Sequence, residues 1–256
     1  MIHSSAIIDP AARIADDVTV GPFSVIGPDV EIGSGSVIGS HVVVKGPTTI
    51  GQNNQIFQFA SVGEDPQDKK YNGEATRLEI GDNNVIREGC TLNRGTTQDR
   101  GVTSIGSGNL IMAYVHIAHD CIVKDNTILA NNVALAGHVT VEDFAILGGY
   151  TLVHQFCVVG PHAFTAMGSV LPKDVPPYVL VSGHMAKPYG LNVAGLKRRG
   201  FSSETIRDLR RAYKLIYKAG ISIEQASSQM RALNPASDEI ALLAGFIEKS
   251  QRGIVR

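Results

Sequence analysis

The sequence predicts an all-β solenoid closed by a small α-helical cap, and three observations carry that expectation. Stepping by six from Ile105 meets Ile111, Ile117, Val123, Leu129, Leu135, Val141, Leu147, Val153 and Val159, an aliphatic residue at every stop. An earlier block does the same from Ile8 through Ile14, Val20, Ile26, Ile32, Ile38, Val44, Ile50 and Ile56 to Val62. A period of six fits neither a helix nor an alternating strand; it fits short strands separated by corners. Gly is abundant at 27 residues, Trp is absent and aromatics make up 6%, which suits narrow stacked layers. Beyond Pro172, Pro176, Pro177 and Pro188 the period becomes helical.

Taken in order, the first block places glycine just after many stops: Gly21, Gly27, Gly33, Gly39, Gly51 and Gly63. A tight corner with positive φ is the expected reason. The count then breaks over 64–78, resumes at Ile80, Ile86 and Leu92, and breaks again over 93–104. Polar insertions in a strict solenoid leave the wall as loops and tend to gather on the functional face. After Val159 the pattern weakens at Thr165 and returns at Leu171. We therefore expect a solenoid over 1–187 and a helical domain over 188–256. In the latter, residues 203–219 put Ile206, Leu209, Tyr213, Ile216 and Tyr217 on one face before Gly220. Ser222 and Gln225 are spaced as a capping box for a helix near 223–233, and a third helix should run from about Ser237 to Ser250. Such a cap would cover the open strand edges of the last coil.

The formal net charge is -1, so no global field draws nucleic acid or an anionic membrane. Cys90, Cys121 and Cys157 have no metal-type spacing, and each lies two residues before an aliphatic stop. They read as small buried fillers in a reducing compartment. With no signal segment and no long apolar run, a cytoplasmic protein without membrane insertion is expected.

Three hexads make a coil of 18 residues, so Ile117, Leu135 and Val153 should share one wall. His119, His138 and His154 then fall near one corner, in layers about 4.8 Å apart, with His116 at the adjoining edge. Clustered imidazoles suit a general base near neutrality or a zinc site, and spacing alone leaves both open. No serine or cysteine nucleophile arrangement accompanies them. In the cap, Lys197, Arg198, Arg199, Arg207, Arg210, Arg211, Lys214 and Lys218 face only Glu204 and Asp208 over the same stretch. This charge suits an anionic partner, such as a phosphate-bearing substrate or an acidic carrier protein.

The segments HIAHDC (116–121), ANNVALAGHV (130–139), VHQFCVVG (153–160), DVPPYV (174–179) and GLKRRGFS (195–202) closely resemble the UDP-N-acetylglucosamine acyltransferases that open lipid A biosynthesis. QFASVGED (58–65) and the loop around QDKKY (67–71) extend the likeness over nearly the whole chain. The resemblance implies a left-handed parallel β-helix that forms a homotrimer with active sites in the clefts between subunits. It implies transfer of a 3-hydroxyacyl group from acyl carrier protein to the 3-hydroxyl of UDP-N-acetylglucosamine, without metal or cofactor. Carried over by position, His119 matches the catalytic base and the Gly137 amide the oxyanion donor. His116, His138, His154 and Gln155 match substrate-binding positions, as do Asn192, Arg198 and Arg199 near the nucleotide. Asp68 and Lys70 match substrate contacts on the first loop.

Two positions depart from the pattern. Asn93 stands in TLNRGT where relatives usually carry His. Met167 occupies the acyl-chain stop, which is Gly in some members, and its volume implies a donor of about ten carbons over fourteen. The competing expectations are the sibling N-acyltransferase of the same pathway, which usually carries an extra N-terminal domain, a trimeric β-helix zinc enzyme of carbonic-anhydrase type, and a solenoid with no chemistry.

Overall fold

Each aliphatic stop lies in a strand of two to four residues and points inward. From Val20 onward the stops are buried: Ile38, Ile86, Ile117, Leu135 and Leu147 are fully so. Ile8 and Ile14, at the open N-terminal end, are half-buried. The computed structural model describes residues 1–256 and is a left-handed parallel β-helix with a helical cap. Its strands form three walls, of nine, eight and ten strands. Ile117 pairs with Leu135, and Leu135 with Val153, in the nine-stranded wall, so the 18-residue coil is the observed register. Every pairing is parallel except that of Val179–Ser182 with Lys187–Leu191, which folds back antiparallel on the ten-stranded wall. The expected division after residue 187 therefore passes through this last strand.

The glycines after the stops have a different cause from the one expected. Of the six, only Gly63 has positive φ. The left-handed residue instead falls three positions after a stop and is usually not glycine: Phe23, Asp29, His41, Asn53, Asp120, His138, Phe156 and His162 are examples. Asn, Asp and His tolerate that region best, and the aromatics in it stack coil on coil, as in Phe23–His41–Phe59. What excludes a side chain at Gly21 and Gly33 is the neighbouring coil. A Cβ would lie 2.8 Å from the Gly39 carbonyl carbon and 2.7 Å from that of Gly51 respectively.

The weak stop Thr165 is buried, and its hydroxyl meets the Gly148 amide at 3.0 Å and the Thr151 hydroxyl at 2.7 Å. All three cysteines are free and buried, and burial pushes the Cys121 thiol up to about 12.

The cap consists of α1 (Val193–Arg198), α2 (Ser203–Tyr217), α3 (Ile223–Leu233) and α4 (Asp238–Lys249). α2 to α4 match the helical periodicity, and Ser222 and Gln225 form both bonds of the capping box. α1 is too short to show a period. Leu196, Leu209, Met230 and Leu243 join a second core beneath the cap. The chain end then returns to the solenoid: the Asp174 amide donates to Gly253 O and the Val255 amide to Asp174 O.

Substitution Gly33→Ala forces a methyl against backbone that cannot give way, and should cost about 1–3 kcal/mol in denaturant unfolding. Gly27→Ala, whose nearest neighbour is 3.4 Å away, should be close to neutral.

Candidate active site

The turns between the nine- and eight-stranded walls form one edge of the prism, and they carry His119, Asp120, Gly137, His138, Gln155 and Phe156. Both insertions leave the wall at this same edge. Residues 65–76 join Ser61–Glu64 to Arg77–Ile80, and residues 94–101 join Thr91–Asn93 to Val102–Ile105. The 18-residue coil makes His119, Gly137 and Gln155 one column, and Asp120, His138 and Phe156 the next.

His119 is 6% exposed. Its Nδ1 lies 2.8 Å from Asp120 Oδ2. A carboxylate only accepts, so the neutral ring carries its proton on Nδ1 and leaves a lone pair on Nε2. Asp120 also accepts from the Thr96 amide at 2.9 Å and the Thr96 hydroxyl at 2.7 Å. Burial pushes its carboxyl up, but these hydrogen bonds outweigh burial and hold it below the usual range. Gly137 sits directly under the imidazole: a Cβ there would lie 2.5 Å from His119 Cε1 and 2.7 Å from Nε2. The Gly137 N–H has no partner within the chain, so a donor and a base share one spot.

His138 stacks on Phe156 at 4.4 Å, meets His119 edge-on at 5.1 Å, and its Nδ1 lies 2.8 Å from Asp99 Oδ2. Beside it opens a cleft of about 600 Å³ lined by Asp68, Lys70, Gln98, Asp99, His138, Gln155 and Phe156. Four of the expected substrate contacts thus line one cleft. His116 lies on the nine-stranded wall next to this edge, with Nδ1 2.7 Å from the Thr91 hydroxyl. Burial, then the charge of His119, pushes its pKa down. His154 is exposed and contacts Arg252.

The remaining expected residues lie elsewhere in the chain. Asn192 caps α1, and its Nδ2 donates to His162 O. Arg199 lies over the Phe144 ring at 4.0 Å, and Arg198 is exposed on the same helix end. Phe144 and His162 belong to the edge between the eight- and ten-stranded walls. Met167 is 78% exposed at the third edge, where the chain turns from Phe164–Thr165 to Val170–Leu171. One chain alone does not bring these groups to His119.

Several residues were not foreseen. Arg94 donates to Gly46 O at 3.1 Å, to Gly63 O at 2.6 Å and to the Tyr71 hydroxyl at 3.0 Å, and it pairs with Asp65. With Asn93, whose Nδ2 donates to Asp65 O at 2.6 Å, it ties the first loop to the wall. Thr96 and Asp99 bring the second loop onto Asp120 and His138. Their only signal in the sequence was membership of a break in the count. His119, Asp120 and His138 also offer three metal donors within 4.8 Å. A cation there would have to displace the contacts that orient His119.

These features define a class: the hexapeptide-repeat transferases. The family model for bacterial transferase hexapeptides matches residues 11–46 and 103–137. The model for UDP-N-acetylglucosamine O-acyltransferase, domain 2, matches residues 174–255. The acyl-[acyl-carrier-protein]--UDP-N-acetylglucosamine O-acyltransferase of Thiobacillus denitrificans is 61% identical over 255 residues, covering 100% of this chain and 99% of the relative. That of Stutzerimonas stutzeri is 58% identical, with 100% and 99% covered. The solved LpxA of Acinetobacter baumannii superimposes with a TM-score of 0.98 at 55% identity, covering 100% of this chain and 99% of that one. The Francisella novicida UDP-N-acetylglucosamine acyltransferase gives 0.98 at 44% identity, with 100% and 94% covered. The chain belongs to the UDP-N-acetylglucosamine O-acyltransferase family.

The half-buried Phe144–His162 stack makes stability depend on pH. Burial, with the nearby Arg199 charge, pushes the His162 pKa down to about 4. The unfolded chain takes up this proton near pH 6.5, so stability falls as pH drops from about 6.5 to about 4. His162→Phe keeps the stack and removes the proton site. Its denaturant midpoint should fall less than that of the wild type between pH 7 and 4.5.

Proposed function

We propose that the chain transfers a 3-hydroxyacyl group from acyl carrier protein to the 3-hydroxyl of UDP-N-acetylglucosamine, the opening step of lipid A biosynthesis. The observation that carries this reading is the pairing of an oriented base with an unspent amide. His119 Nε2 removes the proton from the sugar hydroxyl as that oxygen attacks the thioester carbonyl. Asp120 steadies the imidazolium that forms, and the Gly137 N–H faces the developing oxyanion. Collapse expels the carrier thiolate, which takes the proton back from His119. The ester product needs no covalent enzyme intermediate, because the acyl group arrives activated.

Asp68, Lys70, His138 and Gln155 line the cleft beside the base and suit the sugar nucleotide. Asn192, Arg198 and Arg199 are assigned to the nucleotide end and Met167 to the acyl-chain end. These groups occupy three different edges of a prism, so a complete site needs edges from neighbouring copies. A homotrimer with clefts between subunits meets that need, and the exposure of Tyr114 (66%), Tyr150 (61%) and Leu152 (48%) supports a covered surface. The cations of α2 suit an acidic carrier. No helix is long and apolar enough to cross a membrane.

Acyl transfer to UDP-N-acetylglucosamine tests the proposal. His119→Ala should lower kcat by about 10²–10⁴ at matched folding, and wild-type levels of turnover in that variant would sink it. A zinc reading, raised by the His119–Asp120–His138 cluster, predicts about one bound metal per chain and loss of turnover on chelation. Acyl-group selection is tested separately. Each CH₂ kept out of a tunnel forfeits about 0.8 kcal/mol. Met167→Gly should therefore raise turnover of a fourteen-carbon donor relative to a ten-carbon one; no relative gain would remove Met167 from this role.

A further inference from the structure

The end of the chain reaches the candidate site, where Arg252 meets His154. Asp174 anchors this tail. Its carboxylate accepts from the Val158 amide at 2.8 Å and the Ser250 hydroxyl at 2.6 Å, and its backbone bridges to residues 253 and 255. Held this way, Arg252 places a guanidinium N–H 2.9 Å from His154 Nδ1. The same nitrogen lies 3.1 Å from the backbone carbonyl of Gln155. These two neighbours make opposite demands. The guanidinium can only donate, so it requires a lone pair on Nδ1. The carbonyl can only accept, so it requires a proton there. The closer and charge-assisted contact is the stronger one.

We infer that Arg252 is a positioning residue that holds His154 in the tautomer protonated on Nε2. His154 then shows a donor, rather than an acceptor, on its exposed side. Without Arg252 the ring favours the tautomer protonated on Nδ1, which donates to the Gln155 carbonyl, and the exposed nitrogen becomes an acceptor. A donor suits the phosphate or hydroxyl oxygens of a sugar nucleotide, and an acceptor repels phosphate. The bearing on activity rests on the reading of His154 as a substrate contact; the tautomer itself does not.

Histidine ¹⁵N NMR of the full-length chain at about pH 8, where imidazole is neutral, reads the tautomer directly, with His154 assigned by His154→Gln. The wild type should show Nε2–H, Arg252→Met should move the proton to Nδ1, and Arg252→Lys, which still only donates, should retain Nε2–H. In parallel, KM for UDP-N-acetylglucosamine should rise about tenfold in Arg252→Met, the size of one hydrogen bond to a charged group. In that variant kcat should stay within about twofold, and Arg252→Lys should recover KM. Nε2–H persisting in a folded Arg252→Met chain would overturn the inference, as would loss of Nε2–H in Arg252→Lys. A shifted proton with unchanged KM would uphold the inference and remove His154 from the substrate contacts.

Discussion

Parallel pairing of each coil with the next, in register at 18 residues, is the constraint from which the molecule follows. It fixes the spacing between layers at about 4.8 Å and repeats each environment along a column. Inward positions are then aliphatic in each coil, except at Thr165, whose hydroxyl finds partners. Positions where backbone meets backbone admit no Cβ, as at Gly21 and Gly33. Most corner positions from Phe23 onward take left-handed φ whatever residue stands there, and the strain is offset by Asn, Asp and His or by ring stacking. The same constraint makes residues far apart in sequence into neighbours. His119, Gly137 and Gln155 are consecutive in space because they are 18 apart in the chain.

This explains what could be read before the structure and what could not. The walls, the breaks and the cap helices were legible because each is a matter of period, and period survives in a bare sequence. The gathering of His119 and His138 was legible for the same reason. The explanation for glycine was not: a spacing shows that small residues recur, but not whether φ or a neighbouring coil demands them. The contacts that orient the imidazoles were also hidden. Thr96 reaches Asp120 and Asp99 reaches His138 from an irregular loop, and Arg252 reaches His154 across 98 residues. No repeat connects those partners.

Two kinds of placement therefore meet at this edge. The solenoid sets positions in increments of one layer, which is coarse beside a hydrogen bond of 2.8 Å. It can put Asp120, His138 and Phe156 in one column beside that of His119, and it can leave Gly137 bare beneath an imidazole. His119 finds its partner, Asp120, one residue along its own coil, but the partners of His138 and His154 are not supplied by the repeat. Asymmetry has to enter from segments outside the repeat. The two extruded loops provide Thr96, Asp99, Asp68 and Lys70, and the tail provides Arg252. All of them converge on the edge that carries the histidines.

That division also accounts for the anchoring of the irregular segments. A loop carrying a functional group a few ångströms from a wall is useful only if it is held at hydrogen-bond precision. Arg94 serves this end for the first loop: it is 6% exposed and spans Gly46, Gly63, Asp65 and Tyr71. Asp120 does so for the second, where the carboxylate that orients His119 also fastens Thr96. Asp174 does so for the tail. Each anchor is a charged side chain at least nine-tenths buried, and such a group is stable only with its partners in place. Loosening any one of these segments would leave a charge buried without its partners. The energy that keeps the irregular parts in position is thus tied to the same contacts that define the site, while the aliphatic core maintains the coil beneath it.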